Sequence, residues 1–120
     1  MLGVDIVEIE RIQSAIENPK TGQTFLNKLF TPAEQDYCRR FKTPYERFAG
    51  RFAAKEAIAK LISQGPKDFW LDIEIVNDDN GAPQVRLSER LKAIFPHPIA
   101  LSISHERHYA VAVAIKQPSG

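Results

Sequence analysis

The sequence predicts an α+β fold. Three observations carry the prediction. Apolar residues in the first half recur at helical spacing, those beyond Trp70 alternate, and a β-branched run opens the chain. At 120 residues, the size prior indicates a single domain, 1–120.

Each element has its own local reason. "LGVDIVEI" reads as a strand whose end carries Asp5, and Ile9, Ile12 and Ile16 then take helical spacing until "ENPK" stops it through Pro19. "TFLNKLF" is a short amphipathic helix. The next begins at "TPAEQDYCRRF", with Thr31 as N-cap, Pro32 at the first helical position and Glu34 at the capping-box position. The longest helix follows Pro44 and is expected to end near Gly65, with Phe48, Phe52, Ile58, Leu61 and Ile62 directed to the core. From Trp70, "WLDIEIV", the turn "NDDNG" and "PQVRL" form a hairpin. A short helix, "SERLKAIF", precedes two alternating strands, "IALSIS" and "YAVAVAI", joined at "HERH".

Composition narrows the class. The chain is 43% hydrophobic and 26% charged, which suits a globular protein and not a disordered one. No run approaches the ~18 apolar residues of a membrane span, so no membrane role is expected. The single cysteine, Cys38, cannot form an internal disulfide and reads as a packed residue in a reducing, cytoplasmic setting. Net charge is only +1, yet Arg39, Arg40, Lys42, Arg47, Arg51, Lys55 and Lys60 cluster, while Asp68–Asp79 is acidic. Such a basic stretch suits phosphates or an acidic partner.

Within it lies "RFAAKEAIAK", Arg51 to Lys60. Glu56 and Lys60 stand one turn apart, as in an ordinary i,i+4 ion pair. Asp5 interrupts an apolar strand, where a charge is costly unless paired or bound to a metal. Mg²⁺ typically takes one or two protein carboxylates, so Asp5 and Glu56 would hold it if strand and helix meet. "HERH" lacks the i,i+4 histidines of a zinc-protease helix, and His105 suits a phosphate better than a transition metal. Ser102 and Ser104 lack a credible triad, and no phosphate-binding Gly-rich loop or dinucleotide fingerprint occurs.

"GVDIVEIERI", "FT" at Phe30–Thr31, "GRFAAKEAIAK", "DIEI" with "NGAPQVRL", and "SISHERHYAVAVAI" together resemble the holo-acyl-carrier-protein synthases, small bacterial 4′-phosphopantetheinyl transferases. The resemblance covers nearly the whole chain, with its motifs in family order. It implies transfer of phosphopantetheine from coenzyme A to a serine of apo acyl carrier protein, in fatty acid biosynthesis, releasing adenosine 3′,5′-bisphosphate. It further implies that Asp5 and Glu56 hold magnesium and that Lys60 lies near the coenzyme A pyrophosphate. Arg51, Gly81, Pro83 and His105 would contact the nucleotide end, and Arg11 would meet the carrier protein. The implied assembly is a homotrimer with one site per subunit boundary. Asp5, Glu56 and Lys60 would come from one subunit, and Gly81, Pro83 and His105 from its neighbour. Glu106 departs from the pattern, standing where the family usually has threonine. The competing reading is a non-enzymatic nucleotide- or nucleic-acid-binding module built on the basic stretch, whose binding would weaken steeply with salt. The transferase reading requires no nucleic acid.

Overall fold

One long helix, Pro44–Ile62 (α4), organises the molecule. In the computed structural model, which describes residues 1–62 and 68–118, it lies across a three-stranded antiparallel sheet. That sheet has the order β1 (Leu2–Glu8), β5 (Tyr109–Lys116), β4 (Ile99–His105). The remaining elements are α1 (Ile9–Glu17), α2 (Gly22–Leu29), α3 (Pro32–Arg39), the hairpin β2 (Ile73–Asn77)–β3 (Pro83–Leu87) and α5 (Glu89–Ile94).

The alanines of α4 have a packing role. Ala49, Ala53, Ala54 and Ala57 are fully buried, as are Ala110, Ala112 and Ala114 of β5. Small residues on both surfaces let helix and sheet backbones approach closely. Gly3 marks the tightest approach. A Cβ there would stand 2.0 Å from the Ala57 carbonyl oxygen, so only glycine fits. Larger side chains complete the same core: Phe30 and Phe48 meet edge to face at 5.2 Å, and Ile58, Leu61, Ile73, Ile75 and Leu91 are buried.

The capping signal at Thr31 is realised in full. The Glu34 N–H donates to Thr31 Oγ1 at 3.2 Å and the Thr31 N–H donates to Glu34 Oε1 at 2.9 Å, with Pro32 opening α3. Ser88 likewise caps α5 through the Leu91 N–H.

Three expectations need correction. Asp5 lies in the middle of β1, paired with Ala112, and not at the strand's end. The hairpin starts at Ile73, because Trp70–Asp72 forms a 3₁₀ turn in which the Asp72 N–H donates to the Phe69 carbonyl. Phe52 is only partly buried; it stacks on Trp70 with ring centroids 5.6 Å apart. The expected end of the long helix near Gly65 falls outside the described residues.

Candidate active site

The close contact at Gly3 sets Asp5, two residues on, on the same side of β1 and over the C-terminal half of α4. The Lys60 ammonium donates to Asp5 Oδ1 at 3.0 Å and to the Val4 carbonyl at 2.9 Å. Lys60 is therefore ion-paired to Asp5, not to Glu56 as a simple i,i+4 reading would have it. Glu56 is half-buried on the same helix. Burial pushes its carboxyl pKa up, the Asp5 carboxylate pushes it further, and Lys60 partly offsets both.

Two neighbouring carboxylates, Asp5 and Glu56, with a lysine as counter-charge, form a site suited to a divalent cation. The donors are all hard oxygens, as Mg²⁺ prefers. Among the described residues no group of three or more His, Cys, Asp or Glu converges on a metal position, so any ion here rests on this pair together with non-protein ligands.

Arg51, Gly81, Pro83 and His105 meet elsewhere. They line one cleft of about 140 Å³ with Tyr37, Glu46, Arg47 and Asn77. Arg51 donates to Asn77 Oδ1 at 2.5 Å and lies over the Tyr37 ring at 4.1 Å. Asn77 in turn donates to the Gly81 carbonyl, and Gly81 sits at φ +85, a conformation that favours glycine. His105 Nδ1 stands 3.6 Å from Glu46 Oε2. Lys60 follows Arg51 by nine residues, so they leave α4 on sides about half a turn apart. The chain thus presents two separate clusters. Arg11 is exposed on α1, apart from both clusters.

Three positions escaped the sequence reading. Gly3 fixes how closely β1 lies on α4; its signal was a glycine inside a β-branched run. Lys55, beside Glu56, is fully buried and donates to Glu34 Oε1 and the Leu29 carbonyl at 2.6 Å, and to the Trp70 carbonyl at 2.9 Å. Its signal was a lysine among buried alanines, one turn from Arg51. Arg47 lines the second cleft and lies over Phe41 at 4.1 Å.

Glu106 does not project as a free carboxylate. It accepts from the His108 and Tyr109 N–H groups at 2.7 and 2.6 Å, which hold its pKa below the usual carboxylate value. Burial pushes the Cys38 thiol up to about 12, so it is an inert packing group. The basic stretch is not one exposed face. Arg51 and Lys55 are buried and Lys60 is paired, which removes the main support for a nucleic-acid-binding module.

The family profile described as the 4′-phosphopantetheinyl transferase superfamily matches residues 1–114, and the chain belongs to that family. Its relatives narrow the class. The holo-[acyl-carrier-protein] synthase of Protochlamydia amoebophila is 50% identical over 117 residues, covering 95% of this chain and 94% of the relative. That of Chlamydia caviae is 47% identical over 117 residues, covering 95% and 93%. The crystal structure of the Helicobacter pylori holo-[acyl-carrier-protein] synthase in complex with coenzyme A superposes with a TM-score of 0.85 at 32% identity, covering 98% of this chain and 100% of that one.

Proposed function

We propose that this chain is a holo-acyl-carrier-protein synthase, which transfers 4′-phosphopantetheine from coenzyme A to a serine of apo acyl carrier protein. The observation that carries the reading is the cluster of Asp5, Glu56 and Lys60 where β1 crosses α4. Asp5 and Glu56 would hold Mg²⁺, which when bound supplies neutralisation and polarisation of the pyrophosphate.

The chain's own residues account for the proton and the charge. Glu56, directly or through a water, accepts the proton of the carrier serine hydroxyl. The serine Oγ–P bond forms at the β-phosphorus, and the bond from that phosphorus to the bridging oxygen breaks. Adenosine 3′,5′-bisphosphate departs with the electron pair. Lys60, fixed by Asp5 and the Val4 carbonyl, neutralises the charge developing on it. Transfer of this kind needs alignment and charge stabilisation more than covalent participation.

The second cleft, with Arg51, Gly81, Pro83 and His105, receives the nucleotide end in this reading, and Arg11 meets the acidic carrier. Two observations support a homotrimer. The clusters lie on different sides of α4, so a ring would bring one subunit's reactive cluster against its neighbour's cleft. The sheet face turned away from α4 is also apolar and exposed, with Leu2, Ile6 and Ile115 at 62%, 65% and 46%. Further copies of the chain would cover it.

Among the described residues no helix is long and apolar enough to cross a membrane, and the buried free thiol suits the cytoplasm. The direct test incubates the protein with coenzyme A, magnesium and apo acyl carrier protein and follows the carrier by mass spectrometry. One added phosphopantetheine group per carrier, abolished by chelation, is expected. An unchanged carrier mass would contradict the assignment.

A further inference from the structure

We propose that Glu106 is the positioning residue of the carrier-facing helix, setting the first turn of α1 through one shared peptide group. The inference rests on the transferase reading above, in which Arg11 meets the carrier, and deepens it at α1. Helix α1 opens without a cap from its own segment: Glu8, its N-cap residue, makes no side-chain capping bond. The first N–H groups of a helix have no partner within it and need one from elsewhere. Here the β4–β5 turn supplies one, because the Ile9 N–H donates to the His108 carbonyl at 2.8 Å.

That carbonyl belongs to the peptide group joining His108 to Tyr109. The N–H of the same group donates to Glu106 Oε1 at 2.6 Å, and the His108 N–H donates to the same oxygen at 2.7 Å. In a trans peptide the C=O and N–H point in opposite directions. The Glu106 carboxylate holds one side of the plane while the start of α1 is attached to the other. Fixing the N–H fixes the direction of the carbonyl, and a charged acceptor polarises the group and strengthens the bond on its far side. The turn itself is closed by backbone, since the Glu106 N–H donates to the Tyr109 carbonyl at 2.9 Å. What the side chain adds is the orientation of the His108–Tyr109 peptide.

Arg11 lies in the helical turn that this contact begins, two residues beyond Ile9. It is exposed, so its placement depends on how the helix enters and not on packing of its own. The coenzyme side is held by other means. His105 pairs with Ala110 in the β4–β5 ladder and faces Glu46, and Asp5 pairs with Ala112 in mid-strand. Loss of the Glu106 carboxylate should loosen the start of α1 and leave both coenzyme clusters in place.

The experiment compares wild type, Glu106→Gln and Glu106→Ala in transfer assays that vary the carrier and coenzyme A in turn. Glu106 is exposed, so its truncation leaves the core intact, and thermal melts check that each variant folds. For Glu106→Ala, KM for the carrier should rise about threefold to tenfold, as for loss of one capping contact. KM for coenzyme A should change by less than about twofold, as for a surface substitution away from its site. Glu106→Gln, whose amide oxygen can still accept both bonds, should stay within about twofold of wild type for both substrates. A merely structural role would raise both KM values together. That outcome, an unchanged carrier KM, or a glutamine variant as impaired as the alanine one overturns the proposal. Amide hydrogen exchange, followed by NMR on the three proteins without substrate, separates it from the transferase reading. Faster exchange at Ile9 and Tyr109 in Glu106→Ala than in Glu106→Gln or wild type supports the positioning role even if no transfer is seen; equal exchange in all three overturns it.

Discussion

The ammonium of Lys60 stands 3.0 Å from the Asp5 carboxylate, although 55 positions of sequence separate the two residues. Strand β1 and the end of α4 are thereby joined at a charged cluster that also contains Glu56. Lys60 is 55% exposed, so the pair adds little to stability. Its consequence is the electrostatics around Glu56.

The first prediction concerns that carboxyl. Its pKa is raised in the folded state, so the folded protein binds this proton more tightly than the unfolded chain does. Without metal, this contribution to stability is present below the unfolded pKa and is lost as pH rises through the folded one. Glu56→Gln should therefore be at least as stable as wild type at neutral pH while losing nearly all transfer. Magnesium should raise the melting temperature of wild type but not of Glu56→Gln or Asp5→Asn, by mass action on the folded state. Equal shifts in all three would remove the ion from this pair.

Gly3→Ala should be far more damaging than its size suggests. The new methyl would meet the Ala57 carbonyl oxygen at 2.0 Å and push β1 away from α4. Overpacking typically costs about 1–3 kcal/mol. Activity should fall by more than stability alone explains, because Asp5 moves with its strand. Urea denaturation and steady-state transfer on one preparation provide the check, and a fully active variant would contradict the stated role.

Lys55 and Glu34 form a buried pair at 2.6 Å, and burial lowers the Lys55 pKa despite its partner. Lys55→Met should lose about 3–5 kcal/mol, because the Glu34 charge is left uncompensated. Adding Glu34→Gln should recover part of that loss. Denaturation at one fixed protein concentration measures both, and a Lys55→Met protein as stable as wild type would refute the assignment.

Sequence patterning made much of this fold legible where a local physical rule applied. Thr31 and Glu34 announced a helix start, and the alternation in "YAVAVAI" announced β5. Asp5 and Glu56 stood out because one broke an apolar strand and the other belonged to a specific motif. Lys55 did not stand out, since its partners Glu34, Leu29 and Trp70 come from three other segments. The 3₁₀ turn at Trp70–Asp72 was hidden for a similar reason. Asp72 accepts from Ser88, a tertiary contact that alternation cannot reveal.

Arg11, exposed on α1 near Glu8 and Glu10, tests the carrier surface. Arg11→Glu should raise KM for the carrier about tenfold at low salt, with a smaller effect at high salt. KM for coenzyme A should hardly move. Equal damage to both substrates would place Arg11 in the coenzyme site or in the fold.

In the proposed homotrimer one active site is shared between two copies of the chain. Asp5→Asn removes a residue of the reactive cluster, and His105→Ala removes one from the cleft on the other side of α4. Each variant alone should transfer poorly. Unfolded together in equal amounts and refolded, they should form mixed rings in which about a quarter of the boundaries pair an intact Asp5 with an intact His105. Transfer measured on that mixture should climb towards about a quarter of wild-type activity per site. If the mixture gives only the average of the two variants, with mixed assemblies verified by native mass spectrometry, the shared site is wrong.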